Sequence, residues 1–135
     1  MEDQTTSSEL VVIDSSIFID YLRQYDQAVS FMASFTSLDM KQVFFSAITE
    51  TELLAGKSCN DTVVRSIVLR MLSSLVKIEV TNQIALRAGD ICRMYGVALP
   101  DSIIAASALV YKAELLTKNV KDFTGIPGLR VRAPY

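Results

Sequence analysis

Apolar residues along this chain occur in two rhythms, and the rhythms divide it into strands and helices. Short apolar runs lie at residues 10–13, 43–46 and 115–117, and one interrupted by Lys77 and Glu79 lies at 76–80. Runs this short, rich in β-branched and aromatic residues, predict strands covered on both faces of a parallel sheet. Between them, apolar residues recur every three or four positions. Ala28, Phe31, Met32 and Phe35 mark a helix over 27–37, and Val64, Ile67, Val68, Met71 and Leu75 mark another. Ile84, Ala88, Ile91, Cys92 and Tyr95 form a third stripe that stops at Gly96. Ser15 and Ser16 suit the cap of a helix over 17–23, and Asp61 suits the cap before Val64. A helix carrying Glu50, Glu52, Leu53 and Leu54 ends at Gly56, Pro100-Asp101 opens another, and 104–109 is small enough for close packing. A tight loop runs from Thr117 to Phe123, and 129–131 suits an edge strand.

The resulting order is β-α-α-β-α-α-β-α-α-β-α-β. It predicts an α/β fold: a three-layer α/β/α sandwich on a central, mostly parallel sheet of four to five strands, joined by right-handed crossovers. The chain has 135 residues, half of them hydrophobic and 21% charged, which suits one ordered domain over 10–135 behind a polar arm, 1–9. That arm is too polar for a signal peptide, and no apolar run reaches membrane-span length, so the expectation is a soluble, cytoplasmic protein without membrane contact. Cys59 and Cys92 form no metal-ligand spacing and read as reduced thiols.

Histidine is absent, which excludes Ser-His-Asp and Cys-His nucleophiles and His-based zinc sites. Carboxylates remain. Asp14, Glu52, Asp101 and Asp122 each follow or flank an apolar run, and strand ends of a parallel sheet gather along one edge. Two full charges about 4 Å apart repel by roughly 4 kcal/mol at an effective dielectric of 20. A cluster of such groups calls for a cation, and all-oxygen donors select a hard divalent metal such as Mg2+ or Mn2+. Setting those four acids aside turns the net charge from −2 to +2, compatible with a polyanionic substrate. Taken singly, each acid has a local role: Asp14 ends a strand, Asp101 starts a helix, Glu52 sits on a helix surface, and Asn119 and Asp122 are turn formers. The joint pattern carries the functional reading.

Four blocks carry a family likeness: Val12-Ile13-Asp14-Ser15-Ser16, residues 48–56 around Glu50 and Glu52, residues 99–106 around Asp101, and residues 116–123 around Asn119 and Asp122. In this order and spacing they resemble the PIN-domain nucleases, above all the VapC-type toxins of toxin–antitoxin pairs. The resemblance implies catalytic roles for Asp14, Glu52, Asp101 and Asp122, with metal held by Asp14, Asp101 and Asp122. Ser16, Thr117 and Asn119 would be supporting polar groups, with Asn119 and Asp122 competing for the fourth position. Glu50 lies two residues before Glu52, hence on another helix face, and is not assigned to the metal. The resemblance further implies an endoribonuclease, an RNA substrate, a homodimer and a cognate antitoxin that blocks the site.

Cleavage by water at such a site would leave a 5′-phosphate and a 3′-hydroxyl. Lys57, Arg87, Lys118 and Lys121 are candidates for flanking phosphates. A receiver-like signalling domain would need adjacent acids after the first strand, and a haloacid-dehalogenase-like phosphatase a second acid at Ser16; neither is present. The remaining alternative is a catalytically idle PIN-like domain that binds RNA or a partner protein.

Overall fold

The computed structural model describes residues 10–35 and 42–135. The arm 1–9 and the end of the helix expected over 27–37 lie outside the described residues. Five parallel strands form one sheet: β1 (Val11–Ile13), β2 (Val43–Ser46), β3 (Val76–Ile78), β4 (Glu114–Leu116) and β5 (Val131–Arg132). Their order is β3-β2-β1-β4-β5. The chain therefore winds outward from β1 in one direction through β2 and β3, then returns to β1's other side with β4. The β1–β4 border is the switch point, where parallel α/β sheets open a crevice at their carboxyl ends.

Among the described residues six α-helices cover the two sheet faces: α1 (Ser15–Leu22), α2 (Asp26–Ala33), α3 (Ala47–Ala55), α4 (Thr62–Ser73), α5 (Asn82–Tyr95) and α6 (Leu99–Tyr111). Alternation along the strands sorts the core into two halves. Val12, Leu115 and Ile78 face α5 and α6, packing on Ile84, Ala88, Ile91, Ile104 and Ala105. Val11, Ile13, Val43, Phe45 and Leu116 face the other way, against Ile17 and Phe18 of α1 and Val68 and Leu72 of α4. Each fully buried Ile, Leu or Phe contributes about 1.5–3 kcal/mol. Small residues on α6 (Ala105, Ala106, Ser107 and Ala108, all buried) let it lie close to its neighbours, as the Ala-rich run predicts.

Several local signals translate directly. Asp61 accepts from the Val63 and Val64 amides as the α4 cap, α5 ends at Gly96 in the left-handed region (φ 68°), and Pro100 lies in the first turn of α6. Others are corrected. The α1 helix begins at Ser15, not Ile17, and its cap is Asp14, whose side chain accepts from the Ser16 amide. Gly56 follows α3 in an extended conformation and leads into a 3-10 turn, Lys57–Asn60, so it is not a left-handed stop. The connection from β4 to β5 is a 3-10 turn, Val120–Phe123, where the element order predicts a helix. The buried stripe of α4 runs through Val68 and Leu72, leaving Ile67 exposed, because the helix meets the sheet along a line rotated from the predicted one.

Candidate active site

Asp14 follows β1 at the switch point, and its amide donates to the Leu116 carbonyl (2.9 Å), extending the sheet by one step. Its carboxylate is almost fully buried, with 4% of the residue exposed. Three donors converge on one oxygen, Oδ2: the Ser16 hydroxyl (2.7 Å), the Thr117 hydroxyl (2.8 Å) and the Ser16 amide (3.4 Å). Each hydroxyl has a single proton and gives it to Asp14, so its lone pairs must accept elsewhere. They accept from consecutive amides of the loop after β4: Lys118 N–H to Ser16 Oγ (3.2 Å) and Asn119 N–H to Thr117 Oγ1 (3.0 Å). Ser16 and Thr117 thus relay the polarity of the 118–119 backbone onto Asp14. No hydrogen bond among the described residues reaches Oδ1, and no side-chain oxygen among them is buried without a partner. Oδ1 therefore keeps an edge on solvent.

Glu52 is exposed on α3. Ser15, one residue past Asp14, donates to Glu52 Oε1 at 2.6 Å and lies 2.9 Å from the fully buried Thr49 hydroxyl. With one proton available, Ser15 gives it to the carboxylate, the stronger acceptor. From sequence Ser15 reads only as a helix cap, and Thr49 carries no assigned role. Thr49 stands three residues before Glu52, hence on the same helix face, and that spacing was the available signal. Glu50 turns away, as its offset predicts, and its carboxylate lies 3.5 Å from Lys77.

Asp101 stands in the first turn of α6, half-buried. Burial, and then the charges of Asp14, Asp122 and Glu52, push its carboxyl up to about 6 from 3.8. The fold therefore brings Asp14, Glu52 and Asp122, from three other segments, within electrostatic reach of Asp101. Asp122 belongs to the 3-10 turn after β4 and is exposed; Asn119, also exposed, caps that turn and contributes its amide to the Thr117 hydroxyl.

The donor set is all oxygen and the repulsion at Asp101 is of the kind a cation relieves, so these residues fit a hard divalent ion. Among the described residues no three acidic or thiol side chains already stand at ligand spacing. Asp122 is exposed, whereas Asp14 is held by three donors and Glu52 by Ser15.

Of the four candidate phosphate contacts, Lys57, Arg87 and Lys121 are exposed and make no ion pair among the described residues. Lys118 is committed elsewhere: its ammonium lies 2.9 Å from Asp20 Oδ2 and 5.2 Å from the centre of the Tyr25 ring. Asp20 is buried and also accepts from the Tyr135 hydroxyl (2.9 Å). Sequence reasoning passed over Asp20; an acid three residues after the buried Ile17 was its signal. Cys59 and Cys92 are free thiols, 33 positions apart in the chain and half-buried. No helix among the described residues is long and apolar enough to cross a membrane.

A family model described as PIN domain matches residues 11–128. Among curated proteins, Ribonuclease VapC19 of Mycobacterium tuberculosis is 34% identical over 129 residues, covering 92% of this chain and 98% of that protein. Ribonuclease VapC10 of the same organism is 31% identical over 138 residues, covering 92% of this chain and 100% of that protein. Among solved structures, a chain of a toxin-antitoxin complex from Klebsiella pneumoniae superimposes with a TM-score of 0.77 at 30% identity, covering 93% of this chain and 98% of that one. A chain of the DNA-bound VapBC from Salmonella typhimurium shares the fold, with a TM-score of 0.79 at 23% identity over 93% of this chain and 98% of that one.

Proposed function

The chain belongs to the PIN domain family, and from that premise we propose that it is a metal-dependent endoribonuclease, the toxin of a toxin–antitoxin pair. The observation that supports this reading is that Asp101, half-buried at the start of α6, lies within reach of the charges of Asp14, Asp122 and Glu52. The relatives named as VapC ribonucleases, and the likeness to a toxin-antitoxin complex at 30% identity, support the activity and the partner.

In this mechanism Asp14, Asp101 and Asp122 would hold Mg2+ or Mn2+, with Glu52 beside them. Such an ion, when bound, polarises the scissile phosphate and makes water a competent nucleophile near neutral pH. The chain's own residues do the rest. Ser16 and Thr117 fix the Asp14 carboxylate through Oδ2 and leave Oδ1 for a ligand. Ser15 holds Glu52 at the rim, where its carboxylate can accept a proton from water. Lys57, Arg87 and Lys121 are available for sequence-neutral contacts to flanking phosphates. The substrate is RNA, entering as a single strand or a loop. A homodimer and a cognate antitoxin that occludes the groove complete the reading, in the cytoplasm.

Incubation of the purified protein with structured RNA and Mn2+, with and without chelator, tests the activity. The expected result is chelator-sensitive cleavage to 5′-phosphate ends, lost in Asp14→Asn and Asp101→Asn. Equal RNA integrity with and without Mn2+ would favour the idle binding domain instead.

A further inference from the structure

The groove presents a difficulty that its own chain creates. Lys118 immediately follows Thr117, and its backbone amide reaches Asp14 through a single bridging hydroxyl, Ser16 Oγ. A flexible four-carbon stem ending in an ammonium is long enough to turn back from there into the carboxylates. The site that would attract a divalent ion attracts this lysine for the same reason. An internal ammonium seated among Asp14, Asp101 and Asp122 would neutralise them and occupy the metal's place.

The structure holds Lys118 elsewhere. Its Nζ contacts both oxygens of Asp20, at 3.2 Å and 2.9 Å, and lies over the Tyr25 ring. Asp20 is built for the task. It is buried on α1, and Tyr135 donates to the same Oδ2 that pairs with Lys118. The Tyr135 ring is in turn packed between Tyr25 and Phe31. Burial pushes the Asp20 carboxyl up, but the bonds from Lys118 and Tyr135 and the charges of Lys118 and Arg23 outweigh it and hold Asp20 below its ordinary value. Asp20 touches no groove residue by side chain, and the chemistry proposed above does not use it.

We propose that Asp20, framed by Tyr25 and Tyr135, parks the Lys118 ammonium outside the carboxylate cluster and so keeps that cluster open to a divalent ion. Asp20 is a positioning residue that acts through Lys118. The inference rests on the metal-site reading above and adds to it a competitor and a restraint.

A double-mutant cycle read by calorimetric titration with Mn2+ tests it, on the full chain at low ionic strength. Asp20→Asn should weaken Mn2+ binding by about tenfold or more, within the range for residues outside the first ligand shell. Lys118→Met alone should stay within about twofold of wild type, since the parked lysine neither helps nor hinders the ion. The combination should return affinity to near the wild-type value. A residue that merely supports the fold would not show that rescue. Unchanged binding in Asp20→Asn, or a double variant as weak as Asp20→Asn, overturns the proposal. If Asp20→Asn does not fold, Tyr135→Phe removes one donor and keeps the carboxylate. A loss of about two- to threefold, cancelled by Lys118→Met, is then expected, and no loss overturns the proposal. Wild type that takes up no Mn2+ defeats the metal-site reading itself; wild type that binds while Asp20→Asn binds equally well defeats only the parking of Lys118.

Discussion

Asp14 and Asp20 lie six residues apart, both buried, both accepting several hydrogen bonds, yet their surroundings differ in one respect. Asp20 receives a cation: Lys118 and Tyr135 neutralise and fill it within the chain. Asp14 receives only neutral donors, two hydroxyls and an amide, and its charge bears on Asp101. The fold compensates one carboxylate internally and leaves the other with an excess of negative charge. A buried acid whose charge is matched contributes to structure; one that is oriented but unmatched is ready for a ligand. On the proposed reading the two carboxylates differ in role: Lys118 and Tyr135 complete Asp20, while Asp14 is left for a ligand.

The largest test exchanges the charges. Asp14→Asn should lower metal-dependent RNA cleavage by more than about a hundredfold, beyond the 10–100-fold typical of outer positions, while leaving the thermal midpoint of metal-free protein at neutral pH unchanged or higher. Asp20→Asn should do the reverse to stability, lowering the midpoint because Tyr135 and Lys118 lose the charged acceptor that ties them to α1. A variant pair with the opposite signs would break the comparison.

Smaller changes sharpen it. Ser16→Ala removes a hydroxyl from Asp14 and leaves the Lys118 amide without its acceptor. Metal affinity should fall by about 10–100-fold with the fold intact, measured by Mn2+ titration and circular dichroism. Asp101 adds a pH signature. Its folded-state carboxyl is raised to about 6 from 3.8, so the folded state carries no penalty below that lower value. As pH rises from there through about 6, Asp101 must ionise among like charges and the metal-free protein loses stability. Asp101→Asn should flatten that decline in thermal melts, and Mn2+ affinity of wild type should rise over the same window. The smallest effect belongs to Glu50→Gln. Its partly exposed pair with Lys77 contributes less than about 1 kcal/mol, and RNA cleavage should not change.

Much of this is legible in the sequence. The short apolar runs identified the strands, and Asp61, Gly96 and Pro100 marked helix ends, because those signals are local. That Asp14, Glu52 and Asp122 come within reach of Asp101 agrees with the expectation that strand ends gather along one edge. What escaped was long-range. The bridge from Ser15 to Glu52 spans 37 positions, and the one from Lys118 to Asp20 spans 98. Nothing near Lys118 says that it turns from the groove, so a lysine beside the site read as a phosphate contact. Asp14 was expected to end a strand with the serines capping the helix. It does both jobs, because an acid at a strand-to-helix junction can cap and still expose an oxygen.

The central claim is that carboxylates from four segments crowd into one cluster whose charge only a cation can balance. The titration of the Asp101 side-chain carboxyl, followed by carbon-13 NMR in metal-free protein, tests it most directly. The account predicts a midpoint near 6, displaced part of the way toward ordinary values in Asp14→Asn, since burial persists, and displaced downward again when Mg2+ is added to wild type. An ordinary midpoint in wild type, or one indifferent to both the Asp14 substitution and Mg2+, would contradict it.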